Sequence, residues 1–131
     1  MQIDRRTFLE QFGAVTLMPA FAGFQEASSM WGMIGKVTLV TGKRDEMIEL
    51  LKGSANAMPG CLSYIVAKDA ADENTIWVTE VWDSKASHDA SLSLPAVKDA
   101  IPRSKGLVAS FERVAVTSPV WGGAGLPDHS Q

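Results

Sequence analysis

Two side chains in one short stretch of the sequence could exchange a proton with a bound molecule. Glu80 lies inside the apolar run from Ile76 to Trp82, and His88 follows Glu80 by eight residues. A histidine changes its charge near neutral pH, and a carboxyl group among apolar neighbours is unusual enough to suggest a functional role. Either side chain is therefore a candidate general base.

Each candidate base also has a purely structural interpretation. His88 could be a surface or capping residue of a short helix, and Glu80 could form a salt bridge with Lys36 across the sheet. Ser91 lies three residues after His88, which places both side chains on one helix face. No third member of a catalytic triad is evident in the sequence, so this pair does not predict a hydrolase.

Residues near the candidate bases can line a binding pocket. Val78 and Trp82 share a strand face with Glu80, because side chains alternate along a strand. Tyr64 could add an aromatic wall with a polar tip. Together with Ser91, these residues are the predicted binding residues.

The composition excludes several other kinds of site. Two histidines, His88 and His129, and one cysteine, Cys61, are too few for a metal cluster or a disulfide framework. We therefore predict no metal ion. The chain carries 12 basic and 15 acidic residues without a basic stripe, so nucleic-acid binding is not expected.

Hydrophobic periodicity predicts the elements that position these residues. The β-branched and aromatic run from Ile76 to Trp82 predicts a strand, and Asp83 or Ser84 can cap the helix that carries His88. Other strands are predicted at 33–41, 61–68 and 107–117, and other helices at 43–58 and 95–101. The order βαββαβ predicts a ferredoxin-like α+β fold, with a four-stranded antiparallel sheet and the helices on one face.

The third strand is apolar on both faces, which indicates that both faces of the sheet are covered. We predict that Ile76, Val78, Trp82 and Tyr64 line the face away from the helices. Two subunits would then pack sheet against sheet as a homodimer, with a cavity in each subunit.

The first 22 residues have the pattern of an export signal. Arg5 and Arg6 precede an apolar run from Phe12 to Phe21, and small residues surround a cleavage position after Ala22. The run is shorter than the roughly 20 residues that span a bilayer, so no membrane span is expected. Residues 1–22 are the predicted signal, 23–32 a linker, 33–118 the folded domain and 119–131 a flexible tail. The signal resembles those of the twin-arginine export machinery, which predicts a periplasmic or extracellular protein.

Several short motifs between about Met33 and Thr117 resemble one known family. They are Pro59-Gly60-Cys61 leading into Tyr64, Glu80-Val81-Trp82 followed by Ser84-Lys85-Ala86, and Asp89-Ala90-Ser91-Leu92 followed by Pro95. Together they resemble the antibiotic biosynthesis monooxygenase domain of the dimeric α/β barrel superfamily, which includes quinol monooxygenases.

The resemblance implies a cofactor-independent monooxygenase that oxidises a quinol or another aromatic hydroxyl compound with dioxygen. Such a reaction needs an apolar pocket that excludes water, a base for the hydroxyl proton and donors for the resulting oxyanion. His88 or Glu80 would be the base, and Tyr64 and Trp82 would line the pocket. The alternative is a non-catalytic dimer of the same fold that binds a small apolar ligand.

Ser91 separates this chain from parts of the family. Quinol-oxidising relatives often carry a histidine at the position of Ser91, and haem-degrading relatives carry a tryptophan there with a histidine ten residues later, where this chain has Ile101. The resemblance therefore argues against haem degradation.

Overall fold

The computed structural model describes residues 29–123. Its elements follow the predicted order: β1 (Trp31–Leu39), α1 (Arg44–Ser54), β2 (Cys61–Lys68), β3 (Thr75–Trp82), α2 (Lys85–Ser91), α3 (Pro95–Ser104) and β4 (Val108–Thr117). The predicted signal at 1–22, most of the linker and the end of the tail with His129 lie outside the described residues. No helix between residues 29 and 123 has the length and apolar character needed to cross a membrane.

The four strands form one antiparallel sheet in the order β2-β3-β1-β4. β1 and β3 lie in the centre because β1 pairs with both β3 and β4, and β3 pairs with β2. This order, with three helices between the strands, confirms the predicted ferredoxin-like fold.

The hydrophobic core lies between the helices and one face of the sheet. Its buried residues are Val37, Leu39, Met47, Ile76, Val78 and Leu107. Burial of a large apolar side chain contributes roughly 1.5–3 kcal/mol, so this cluster holds the helices on the sheet.

The prediction of which sheet face is left uncovered is wrong. Ile76 and Val78 belong to the core under the helices, Tyr64 packs against that core, and Trp82 lies on the same face of β3. The face away from the helices instead carries the alternate residues, which include Ile34, Lys36, Ile65, Trp77, Thr79 and Val81. Both faces of β3 are apolar, so alternation along the strand does not say which face the helices cover.

Element boundaries differ from the predicted ones by a few residues. β1 begins at Trp31, two residues early, because Trp31 and Gly32 still pair with Trp82 and Val81 on β3. α3 continues past Ile101 to Ser104 with Pro102 inside it. A proline removes one backbone hydrogen bond, and in the last turn of a helix the packing of the remaining residues can offset that loss.

A candidate active site between the helices and the sheet

Two adjoining cavities lie between the helices and the sheet. The helix lobe has a volume of about 300 Å³ and the strand lobe about 460 Å³. Six residues line both lobes: Met33, Met47, Leu51, Tyr64, Glu80 and Ser104. The volumes fall in the range of cavities that enclose small organic ligands, which is roughly 300–1,000 Å³.

Glu80 is the carboxyl group of this site. It is only 7% exposed, and it lies between its cross-strand neighbours Met33 and Tyr64. Its Oε1 accepts a hydrogen bond of 3.2 Å from the indole N–H of Trp82, two residues along the same strand face. Burial raises the pKa of Glu80, while the bond from Trp82 and the nearby His88 and Arg113 act in the opposite direction.

The structure contradicts the alternative interpretation of Glu80 as the partner of Lys36. Lys36 pairs with Trp77 on β3, whereas Glu80 pairs with Met33, so the two side chains point to opposite faces of the sheet. The ammonium group of Lys36 lies 5.6 Å from the centre of the Trp77 ring. Glu80 therefore faces the cavity and forms no salt bridge with Lys36.

His88 lies on α2, whose first turn is fixed by a cap. The hydroxyl of Ser84 accepts a hydrogen bond of 3.1 Å from the backbone N–H of Ser87. The His88 side chain is 12% exposed, and its ring centre lies 4.4 Å from that of Trp31 and 5.5 Å from that of Trp82. His88 is therefore packed against the sheet and lines the helix lobe, and the interpretation as a surface or capping residue is wrong.

Tyr64 faces Glu80 across the β2-β3 pair and lines both lobes. Burial raises the pKa of the Tyr64 hydroxyl, and the charges of Glu80 and Cys61 raise it further. Tyr64 consequently keeps its proton at neutral pH and can donate a hydrogen bond into the cavity.

The other predicted binding residues occupy different positions around the cavity. Val78 lines the strand lobe. Ser91 is 5% exposed, lines the helix lobe, and donates its hydroxyl to the carbonyl of His88. Trp82 is fully buried and is not among the described residues that line either lobe. Its indole donates a hydrogen bond to Glu80 and lies against the His88 ring. Trp82 therefore supports these two side chains, whereas the sequence predicted that it would form a wall of the cavity.

β4 contributes two site residues that the sequence-based prediction missed. Phe111 lines the strand lobe and Arg113 lines the helix lobe. On β1, Phe111 pairs with Val37 of the core, and Arg113 pairs with Gly35. A side chain at Gly35 would come within 3.0 Å of the Phe111 ring. The alternation of Phe111 and Arg113 along β4 is the signal that could have placed them on one face.

The described residues therefore form a small ferredoxin-like α+β domain, with a mainly apolar cavity and a buried carboxyl group between the helices and the sheet. The family model for antibiotic biosynthesis monooxygenase matches residues 30–103. The chain belongs to this family.

Several solved structures and one sequence relative are similar to this chain. A solved structure from Chloroflexus aurantiacus, which bears the same family name, is 50% identical with a TM-score of 0.72, over 74% of this chain and 99% of that one. Structures from Bacteroides thetaiotaomicron (15% identical, TM-score 0.65, 77% of this chain and 99% of that one) and Caulobacter crescentus (19%, 0.63, 72% and 92%) share the fold. An uncharacterized Synechocystis protein is 27% identical over 85 residues, which make up 63% of this chain and 58% of the relative.

Proposed function

We propose that the protein is a cofactor-independent monooxygenase that oxidises a quinol or another aromatic hydroxyl compound with dioxygen. The observation that carries the proposal is the buried Glu80 carboxyl group, which faces a cavity large enough for an aromatic ring system. Membership of the monooxygenase family supports the general class of reaction.

Glu80 is the proposed base. Its Oε1 is held by the indole N–H of Trp82, and we assign Oε2 to the hydroxyl group of the substrate. A poorly hydrated carboxylate is a stronger base than one in water, because burial disfavours its charge. Loss of the hydroxyl proton makes the aromatic ring electron-rich enough to reduce dioxygen. One oxygen atom then enters the substrate and the other leaves as water, with the electrons supplied by the substrate.

Tyr64 is the proposed donor to the substrate oxyanion. Its raised pKa keeps it protonated, and it lies beside Glu80 in both lobes. Once Glu80 has taken the proton, its neutral carboxyl group can donate a second hydrogen bond to the same oxyanion. Donors fixed before the reaction stabilise developing charge without reorganisation.

His88 is the alternative base. It lines the helix lobe, and its Nδ1 lies 3.1 Å from Oδ1 of Asp89. The ring is held between Trp31 and Trp82, so it could accept a proton only from a substrate that enters the helix lobe.

Oxygen uptake by the purified mature protein, free of metal and flavin, tests the proposal. The substrates are a panel of quinols, polyphenols and anthrone-like compounds. We expect Glu80→Gln to lower kcat by about 10²–10⁴-fold, the usual contribution of a general base. Glu49→Gln makes the same chemical change at an exposed position on α1 and should leave the rate unchanged.

The outcomes separate the two candidate bases. If His88→Ala loses uptake and Glu80→Gln keeps it, the base is His88. If uptake survives in both variants, neither residue is the base. Tight binding of an aromatic compound with no uptake across the panel would favour the second candidate function, a dimer that binds a small apolar ligand, which the apolar strand lobe would also suit.

Export and assembly are further parts of the proposal. Arg5 and Arg6 support export by the twin-arginine machinery to the periplasm or cell exterior. Replacing both arginines with lysine should leave the precursor in the cytoplasm, and unchanged export would contradict this route. The sheet face that carries Ile65 and Trp77 is the proposed homodimer interface.

A further inference from the structure

We propose that the ligand of this cavity carries an anionic substituent, such as a carboxylate, which the exposed Arg113 and Lys105 bind. The inference rests on the proposed function only for the aromatic hydroxyl end of the ligand. It adds an anionic group at the other end of the ligand, which the proposed function does not specify.

The first observation is the distribution of ion pairs. Most cations in the described part of the chain have a partner: five pair with carboxylates, Arg44 donates to the carbonyl of Asp72, and Lys36 lies over the Trp77 ring. Within residues 29–123, three further cations have neither a salt bridge nor one of these other partners: Lys98, Lys105 and Arg113. Two of these three border the cavity, although the whole chain has a net charge of −3.

The second observation is the arrangement of charge within the cavity. Arg113 is the one arginine or lysine among the described residues of the helix lobe, and Lys105 is the one in the strand lobe. Lys105 follows Ser104, which lines both lobes, so both cations border the same connected cavity. Glu80, which both lobes share, is the acidic group of each.

Exposure separates the two ends of the site. Glu80 is 7% exposed, whereas Arg113 and Lys105 are exposed residues of the cavity lining, and Arg113 is near enough to lower the pKa of Glu80 but forms no salt bridge with it. Phe111, on the same strand face as Arg113, is 55% exposed and offers an aromatic surface beside them. A ligand would therefore place its hydroxyl group at Glu80, its ring along the apolar wall, and its anionic group at the exposed cations.

Arginine suits this role because its planar guanidinium group can bind a carboxylate through two parallel hydrogen bonds. Ion pairs at an exposed site are weak, and those on a partly enclosed ligand are stronger. We therefore expect the loss of either cation to weaken binding of an anionic ligand by about threefold to tenfold.

Binding of three matched probes tests the inference: 6-hydroxy-2-naphthoate, which carries its carboxylate and its hydroxyl group at opposite ends of the ring system, its methyl ester, and 2-naphthol. They share one ring system and one hydroxyl group and differ in the charged substituent. Dissociation constants are measured by isothermal titration calorimetry with the mature protein at low and high salt. We expect the naphthoate to bind most tightly, and its advantage over the ester to shrink as salt screens the charges.

Three variants locate the effect. Arg113→Gln and Lys105→Gln should each weaken naphthoate binding and leave ester binding unchanged. Lys98→Gln is the matched control, because Lys98 also lacks an ion pair within the described residues but lines neither lobe. All replaced side chains are exposed, so the variants should fold, which thermal unfolding checks.

The inference is overturned if the naphthoate binds no more tightly than the ester, or if Lys98→Gln weakens it as much as Arg113→Gln does. Its failure is distinct from failure of the proposed function. Oxygen uptake without any preference for anionic probes would remove the inference alone. A preference that depends on Arg113 and Lys105, with no oxygen uptake on any compound, would remove the monooxygenase proposal and leave the anion site in place.

Discussion

Burial of the Glu80 carboxylate is unfavourable, because this group is 7% exposed and shares a cavity with apolar side chains. Trp82 reduces that cost by donating one indole hydrogen bond, and Arg113 and His88 supply positive charge nearby. The balance leaves the pKa of Glu80 above its ordinary value, which suits a base that must take a proton from a weakly acidic hydroxyl group.

The raised pKa of Glu80 predicts a pH-dependent cost in stability. Folding favours the protonated carboxyl group, so its contribution is fully present below the unfolded pKa, near 4.5, and is lost as the pH rises through the higher folded pKa. Glu80→Gln removes the charge, and we expect this variant to unfold at a higher temperature than the wild type at pH 7. The difference should disappear below about pH 4.5. Equal melting temperatures at neutral pH would contradict the account.

Trp82→Phe tests whether the indole N–H positions Glu80. The change removes the hydrogen bond that lowers the pKa of Glu80, so the acidic limb of the kcat/KM profile should move to higher pH. Trp77→Phe is the control, because its indole N–H donates to Asp69 over the other sheet face, 2.7 Å away. A profile that is unmoved in Trp82→Phe would assign the tryptophan to packing alone.

At this scale the sequence predicted the right residue types and missed some of their roles. Strand alternation placed Glu80 and Trp82 on one sheet face, but it did not predict that this face lies under the helices, where Glu80 and Tyr64 share one cavity with His88. The sequence did not predict the roles of Trp82 and Arg113. Alternation along β4 could have placed Arg113 on one face of the sheet, but the roles of both residues depend on the neighbours that the fold brings together.

The turn before β2 helps to hold the elements of the site together. β2 matches its predicted bounds, because the turn at Gly60 precedes its first residue and polar residues follow Lys68, its last. The turn at Gly60 also contacts the beginning of α2: the Asp83 backbone N–H donates to the Gly60 carbonyl at 2.9 Å. This contact fixes the helix that carries His88 against the sheet. The end of α3 was less predictable, because Pro102 usually marks a helix end and here does not.

Gly60→Ala should therefore destabilise the protein and disturb the site. Gly60 has a positive φ of 83°, and a Cβ there would lie 2.6 Å from the Cβ of Ser87 and 2.7 Å from Oδ1 of Asp83. We expect the free energy of unfolding to fall by about 1–3 kcal/mol. Gly53→Ala is the matched control in a helix: its Cβ would meet nothing within 4 Å, so it should stabilise by about 0.5–1 kcal/mol. Urea unfolding followed by circular dichroism measures both changes.

Within residues 29–123, the sheet has two apolar faces, and the helices cover only one of them. The sequence showed that both faces of β3 need cover, but it could not show which face the helices take, because Ile76 and Trp77 are equally apolar neighbours. The register resolves this, since β1, β2 and β3 direct alternate residues to opposite sides. The uncovered face therefore carries Ile65, Thr79 and Trp77, and these residues define the proposed homodimer interface.

Ile65→Glu tests that interface with little effect on folding. Ile65 is 56% exposed in the single chain, so a glutamate there costs little when the chain is alone, but a second sheet packed against it would bury an unpaired charge. We expect the wild type to be a dimer and Ile65→Glu a monomer, measured by light scattering after gel filtration at micromolar concentration. Leu92→Glu makes the same kind of change at a residue that is 49% exposed on the helix side, and this variant should remain dimeric. A wild-type protein that is monomeric, or an Ile65→Glu variant that is still a dimer, would remove this face from the assembly, because an interface built on the sheet face would bury the unpaired carboxylate at a high cost.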